Sequence, residues 1–197
     1  MNPVTNGPLV DESLETNIDG VFACGNVLHV HDLVDYVSEE AATAGKNAAL
    51  YVKNNCGKDA QKSDKVVEIK AIDGVRYTVP STIHVDNMAD LLTVRFRVGG
   101  VFKNSYISVY LNDERVQHRR KQVMAPGEME QVILKKKDLE AYEGLETITV
   151  KIEEEKRDLT CIGCPLGCQI TVTMENGEVT DVKGNTCPRG DKYEEKK

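Results

Sequence analysis

Apolar and polar residues alternate with a period of two through the middle of the chain. The clearest runs cover residues 92–98, 107–111 and 148–152, where the alternate positions are Val, Ile, Leu or Phe. This alternation is typical of strands that bury one face, and pairs of Gly, Asn, Asp or Pro separate the runs as turns. The pattern predicts an all-β sandwich of roughly seven strands over residues 66–155, preceded by a polar linker over residues 58–65.

Residues 1–57 show a different pattern. The short apolar run 21–24 predicts a buried strand that ends at Gly25, and the sequence after it predicts a helix from Asp32 to about Lys53, with Asp32 as its cap. A strand, a glycine turn and a helix make half of an α/β unit. Such a half unit cannot bury its apolar surface without further elements.

The third pattern is a concentration of cysteines. Four of the six cysteines lie in residues 156–197, which we expect to form a small domain of their own. Residues 169–174 and 178–182 predict a hairpin that turns at Asn176 and Gly177. This hairpin would return the last cysteine to the first three, so that four thiolates converge on one centre. The four residues are Cys161, Cys164, Cys168 and Cys187.

Four cysteines without a neighbouring histidine match two kinds of metal centre, an iron–sulfur cluster and a structural zinc ion. Zinc sites usually show two C-x2-C pairs. Here three cysteines form one C-x2-C-x3-C group, and the fourth stands alone before a proline. That arrangement favours ligation of a [4Fe–4S] cluster. Zinc and a metal-free thiol–disulfide centre remain the alternatives.

Composition and charge limit the classes of partner. The chain is 40% apolar with a net charge of −7, and most of the excess acid lies in residues 1–60. An acidic chain is a poor ligand for nucleic acids, and no apolar run approaches the length of a membrane span. We therefore expect a cytoplasmic protein that neither binds nucleic acid nor inserts into a membrane. One basic group is predicted to be a solvated strand face: Arg115, Arg119, Arg120 and Lys121.

Residues 161–190 resemble the amino-terminal [4Fe–4S] segment of molybdopterin oxidoreductases such as formate dehydrogenase. The shared features are the C-x2-C-x3-C loop, the hairpin, and a last cysteine followed by a basic residue and a glycine. The molybdopterin-binding body is absent, so molybdenum chemistry is not implied. A closer resemblance is to the small cysteine-rich domain of unknown function that is found beside, or fused to, flavoprotein dehydrogenases.

Residues 16–26 resemble the C-terminal FAD motif of the pyridine nucleotide–disulfide oxidoreductase superfamily, T-x-x-x-G-[VI]-[FY]-A-x-G-D. Residues 27–52 are similar to its amino-acid and glycerol-3-phosphate dehydrogenase-like branch, where Asn replaces the final Asp. The resemblance implies that Gly25 and Asn26 face the ribityl–phosphate part of FAD. It also implies that the start of the helix directs its N–H groups at the pyrimidine edge of the flavin, where they would stabilise negative charge. The residues of that helix start are Asp32, Leu33 and Val34.

The chain contains no G-x-G-x-x-G, so the usual sites for the FAD adenylate and for nicotinamide dinucleotides are both missing. We therefore expect the C-terminal portion of a flavin-dependent oxidoreductase, inactive as a dehydrogenase by itself and binding FAD only in the complete enzyme. Its expected partners are the missing N-terminal FAD/NAD(P) domains or a flavoprotein dehydrogenase subunit, and the cysteine centre would transfer electrons. The alternative is a zinc-stapled, non-enzymatic module that docks an oxidoreductase partner. No catalytic residue is named in either case.

The remaining candidate ligands are assigned to structural positions. Cys24 lies on the predicted buried strand and is expected in the core. The spacing of His29 and His31 allows metal binding, but we expect linker residues near a flavin edge. His84 and His118 are predicted to lie on the sheet surface.

Overall fold

A computed structural model shows the predicted sandwich as eight strands in two facing sheets. One sheet has the order β3-β1-β8-β5-β6, and the other has the order β2-β4-β7. Strand β1 runs parallel to β8, whereas the other neighbouring pairs are antiparallel. The structure describes residues 1–55, 65–160, 167–175, 178–184 and 186. The eight strands are β1 (Val67–Ala71), β2 (Val75–Val79), β3 (Thr82–Ile83), β4 (Leu91–Val98), β5 (Phe102–Leu111), β6 (Glu114–Met124), β7 (Glu130–Lys135) and β8 (Thr147–Glu153).

The main core lies between these two sheets. In β8 the alternate residues Ile148, Val150 and Ile152 are buried, and they meet Val94 and Phe96 of β4 in one apolar cluster. Each fully buried side chain of this size contributes roughly 1.5–3 kcal/mol. The period-two pattern therefore identified the inward face of the sandwich correctly. A short helix, α2 (Lys136–Glu140), follows β7.

The N-terminal residues pack on the outer face of β2. A bulge between Val75 and Tyr77 changes the register of β2, so that Tyr77 and Val79 join a second core instead of the first. The half unit expected over residues 1–57 thus buries its apolar surface against the sandwich. The second core contains Val10, Leu14, Ala23, Leu28, Ala44, Tyr77 and Val79.

Two local predictions for this segment change in detail. The strand expected over residues 21–24 is reduced to a single bridge between Phe22 and Glu15, because within the described residues no neighbouring strand lies beside it. A 3₁₀ turn, Gly25–Val27, follows. The helix, α1, spans Val34–Asn55 and begins two residues later than predicted. Cys24 is half-buried against the second core.

The C-terminal residues form a separate three-stranded sheet of order β11-β10-β9. The predicted hairpin is confirmed, since β10 (Gln169–Glu175) pairs antiparallel with β11 (Glu178–Lys183). The third strand, β9 (Glu155–Thr160), was missed, because its charged residues indicated only the end of the sandwich. Pairing with β10 outweighs that composition. The predicted turn residues Asn176 and Gly177 lie outside the described residues.

Candidate metal centres

The C-terminal sheet brings together the chain positions that flank the predicted cysteine centre. Thr160, directly before Cys161, is paired with Gln169, directly after Cys168. Strand β11 returns to the same end of β10, where the Sγ atom of Cys168 lies 2.8 Å from the Oγ1 atom of Thr186, the residue before Cys187. The residues next to the first, third and fourth cysteines therefore lie at one end of one small sheet.

Cys168 is the one predicted metal ligand among the described residues, and Cys161, Cys164 and Cys187 lie outside them. The hydroxyl and then the backbone N–H of Thr186 lower the pKa of the Cys168 thiol below its ordinary value. The thiolate is the form of cysteine that binds metal ions. This end of the sheet therefore favours the ligand form of Cys168.

Gly184 lets the chain pass close to β10 at this same end. Its φ is +90°, and a Cβ atom placed on it would lie only 2.4 Å from the carbonyl oxygen of Gln169. Any side chain would therefore force the chain before Cys187 away from Cys168. The local backbone fits the close return that a four-cysteine centre requires.

Of the predicted flavin contacts, Gly25 and Asn26 take part in internal hydrogen bonds. Gly25 is buried with a φ of +68°, and its N–H donates to the Oε2 atom of Glu40 at 2.9 Å. The exposed Asn26 accepts a hydrogen bond from the N–H of His31 at 3.2 Å through its Oδ1 atom. The turn is thus ordered by residues of the chain itself.

The three residues predicted at the start of the helix differ in their surroundings. Asp32 does not begin the helix, and its Oδ2 atom instead accepts a hydrogen bond from the N–H of Met129 at 3.0 Å. Its other oxygen lies 3.6 Å from Arg97. Leu33 and Val34 are 51% and 79% exposed, so the first turn of α1 is open to a further partner.

A buried cluster that the sequence did not assign lies directly beside these residues. The Nε2 atom of His29 is 3.0 Å from Oε1 of Glu40, and the Nε2 atom of His31 is 3.0 Å from Oε2 of the same carboxylate. The side chains of His29, His31 and Glu40 are only 0%, 1% and 3% exposed, respectively. The two histidines lie in the segment between the 3₁₀ turn and α1, as expected for linker residues, but their side chains are buried, and their spacing did allow metal binding.

Several neighbours hold this cluster in place. The Nδ1 atom of His29 lies 3.3 Å from the hydroxyl of Tyr77, and Nη1 of Arg95 lies 3.6 Å from Glu40. Burial alone would raise the pKa of Glu40, but hydrogen bonds from His29 and from the Gly25 amide outweigh it and hold the pKa below its ordinary value. Burial lowers the pKa of His31. The carboxylate is thus ionised and accepts hydrogen bonds on both oxygens.

A second buried group joins the N-terminal segment to the end of β3. The Nδ1 atom of His84 lies 3.2 Å from Glu12 and 4.0 Å from Asp11. Burial raises the pKa of Glu12. The prediction that His84 lies on the sheet surface is wrong, because residues 11 and 12 cover it.

A serine, a histidine and a glutamate meet on the five-stranded sheet, but their geometry does not suit nucleophilic catalysis. Ser108 is fully buried and donates its proton to Glu153 at 2.5 Å. Its oxygen, 2.7 Å from Nδ1 of His118, is left as an acceptor for the histidine. A nucleophilic serine needs an accessible oxygen and a histidine that accepts its proton. His118 is exposed on β6, as predicted, and so are most of the neighbouring basic residues.

Comparison with models of protein families, with curated proteins and with solved structures gives no match to this chain. Among the helices of the described residues, none combines the length and the apolarity needed to cross a membrane. Two places in the structure carry the side chains best suited to bind a metal ion: the cysteine end of the C-terminal sheet and the buried His29–Glu40–His31 cluster. They lie in different parts of the fold and use different donor atoms.

Proposed function

We propose that the chain is the C-terminal portion of a flavin-dependent oxidoreductase and that its four C-terminal cysteines hold a [4Fe–4S] cluster for electron transfer. The observation that carries this proposal is the contact of Cys168 with Thr186 at one end of the sheet. The cluster would accept and release single electrons. Its proposed ligands are Cys161, Cys164, Cys168 and Cys187.

The register of the C-terminal sheet supports this ligand set. The chain leaves β9 at Thr160 and enters β10 opposite it at Gln169, so the C-x2-C-x3-C segment begins and ends at neighbouring positions. Strand β11 then leads back past Gly184 to Thr186 at the same end. The fold therefore brings the residue before Cys187 close to Cys168, although the two cysteines are distant in sequence.

The surroundings of Cys168 favour a metal ligand over a cysteine with a purely structural role. Cys168 is partly buried, and the hydrogen bonds of Thr186 favour its thiolate. The described cysteines, Cys24 and Cys168, are free thiols, which suits the reducing cytoplasm that we propose as the compartment.

Exposed apolar residues near α1 support the flavoprotein part of the proposal. Val27, Val30, Leu33 and Val34 are all more than half exposed, and they follow one another around the turn that leads into the helix. A run of this kind marks a contact surface. We propose that it contacts the missing FAD/NAD(P) domains or a flavoprotein subunit, and that FAD is held only in that complete assembly.

Zinc at the same four cysteines is the second candidate, and one observation favours it. The C-terminal sheet has a very small core, in which Ile170 and Val172 are the fully buried members among the described residues. A sheet of this size commonly needs a metal staple for stability. In that case the chain would be a non-enzymatic module that docks an oxidoreductase.

Anaerobic reconstitution of the full chain with iron and sulfide distinguishes the two candidates. We expect equal amounts of iron and sulfide and a broad visible absorption band, both of which are lost in Cys168→Ser. The matched control is Cys24→Ser, which removes a half-buried thiol packed against the second core and leaves the band unchanged. A colourless chain with one zinc ion supports the staple, and a metal-free chain contradicts both candidates.

A further inference from the structure

We propose that His29, His31 and Glu40 form a second metal site, which binds a divalent transition-metal ion independently of the cysteine centre. Two imidazole nitrogens and one carboxylate oxygen are a donor set that suits zinc or ferrous iron. The site lies where the N-terminal segment packs on the sandwich. It therefore does not depend on the proposed function of the C-terminal sheet.

The three donor groups already lie close together around one point. One atom from each of His29, His31 and Glu40 lies within 4.8 Å of the others, and the two nitrogen–oxygen distances to the carboxylate are 3.0 Å. Ligands about 2.0–2.1 Å from a tetrahedral zinc ion lie roughly 3.3 Å apart. For an ion to replace the two hydrogen-bonding protons, the two nitrogen–oxygen contacts need to lengthen by a few tenths of an ångström and the imidazoles need to turn toward one common point.

The surrounding residues provide the outer support that metal ligands usually have. With Nε2 of His29 bound to the ion, its Nδ1 atom carries the proton and donates to the Tyr77 hydroxyl oxygen, 3.3 Å away. The N–H of Gly25 donates to Glu40 and fixes the orientation of the carboxylate. Such outer contacts set the tautomer and the direction of the ligands.

Two unsatisfied atoms give independent evidence that the cluster is incomplete by itself. Among the buried side-chain nitrogens and oxygens of the described residues, Nδ1 of His31 and Nε of Arg95 lack hydrogen-bond partners; His31 belongs to this cluster and Arg95 borders it. Buried polar atoms of this kind commonly indicate a water molecule or an ion. A water molecule bound to the ion would offer Arg95 an acceptor.

The local charges accommodate a cation. Arg95 lies closer to Glu39, at 2.6 Å, than to Glu40, at 3.6 Å. Glu39 can therefore neutralise Arg95, and the charge of Glu40 remains for the ion. With the ion bound, the two carboxylates, the guanidinium and the dication carry a net charge of +1, which is modest for a buried site.

Cobalt(II) titration of the full chain, with the four C-terminal cysteines replaced by serine, tests this site without interference from the other centre. We expect one equivalent to bind with the absorption of a nitrogen and oxygen ligand set and without a thiolate charge-transfer band. His31→Gln and Glu40→Gln should each weaken binding by more than about 100-fold. His118→Ala, which removes an exposed imidazole on β6, should leave the affinity unchanged.

X-ray absorption spectroscopy of the same variant, with the four C-terminal cysteines replaced by serine and loaded with zinc, gives a second result that needs no further substitution. Imidazole scattering with a shell of only nitrogen and oxygen supports the site. The proposal is overturned if the folded variant takes up no metal, if sulfur from Cys24 or Cys56 appears in the shell, or if His31→Gln binds as tightly as its parent. Circular dichroism establishes that each variant is folded.

Discussion

The two candidate centres differ in how their ligands are brought together. The cysteine centre belongs to one small sheet, because the hairpin of β10 and β11 returns the chain to Cys168. The ligands of the histidine cluster are closer in sequence, but distant residues cover and hold them, since Tyr77 is 48 residues from His29 and Arg95 is 56 residues from Glu39. Spacing along the sequence therefore reveals candidate ligands in both places, whereas only the packing shows that the histidines and Glu40 are buried and held together.

The largest expected effect comes from removing the carboxylate at the centre of the histidine cluster. Glu40→Ala leaves His29, His31 and the Gly25 amide without their acceptor in a buried place. We expect the free energy of unfolding to fall by about 3–5 kcal/mol, as measured by urea denaturation.

Glu39→Ala is the matched control, since it removes the neighbouring carboxylate, whose side chain is 63% exposed. It should cost less than about 1 kcal/mol. Cys168→Ser should leave the unfolding of the sandwich unchanged. Equal losses for Glu40→Ala and Cys168→Ser would contradict the view that the two centres are energetically separate.

The same contrast explains which parts of the fold the sequence predicts. Period-two alternation identifies the sandwich because one face of each strand is buried, as Ile148, Val150 and Ile152 show. The burial of His84 could not be found in this way, because residues 11 and 12 cover it from a distant part of the chain. The bulge before Tyr77, which turns that side chain toward His29, has no local signal either.

The candidate sites follow the same rule. The cysteine motif and its hairpin were predicted because four cysteines around a hairpin form a recognisable spacing. The pairing of His29 and His31 with Glu40 was missed, although the histidines are two residues apart and Glu40 lies about two helical turns beyond the start of α1. A histidine pair followed by a glutamate on the next helix is the signal that could have identified the cluster.

The second prediction concerns the close return of the chain at Gly184. Gly184→Ala places a methyl group against the Gln169 carbonyl in a left-handed backbone conformation. We expect the C-terminal sheet to lose about 2–4 kcal/mol, so that amide exchange in β10 accelerates by roughly 30-fold or more. Reconstitution of the cysteine centre should fail in parallel.

Gly127→Ala is the control for this substitution, since a Cβ atom there meets open space. It should change neither exchange in β10 nor reconstitution. Normal metal uptake by Gly184→Ala would mean that the cysteine centre does not need the close return of β11.

The third prediction concerns Glu153, at the end of β8 where the sandwich joins the C-terminal sheet, and the dependence of stability on pH that its carboxylate causes. Burial would raise the pKa of Glu153, but hydrogen bonds from Ser108, Tyr110 and Lys151 outweigh it and hold the pKa at about 2. The unfolded chain takes up this proton near the ordinary value of 4.5. The stabilisation is therefore complete above about pH 4.5 and is lost as the pH falls toward 2.

Glu153→Gln should lower the free energy of unfolding by about 1–3 kcal/mol at pH 7, and the difference from the parent should shrink as the pH falls through this window. Glu68→Gln, at a side chain that is 61% exposed, is the control and should show no such trend. A difference that does not depend on pH would show that Glu153 acts by packing alone.

The smallest effect is expected at the exposed start of α1. Replacing both Leu33 and Val34 by serine should change the stability of the isolated chain by less than about 0.5 kcal/mol, because both residues are more than half exposed. Thermal unfolding measures this change. A large loss would show that the surface is already covered within the chain, and would remove the support for a flavoprotein partner there.

Electron paramagnetic resonance of the reconstituted and chemically reduced chain tests the central proposal most directly. A [4Fe–4S] cluster held by Cys161, Cys164, Cys168 and Cys187 predicts the signal of a half-integer-spin reduced cluster, which Cys24→Ser keeps and Cys168→Ser abolishes or alters. A chain that binds stoichiometric zinc, gives no cluster signal and cannot be loaded with iron and sulfide would contradict it.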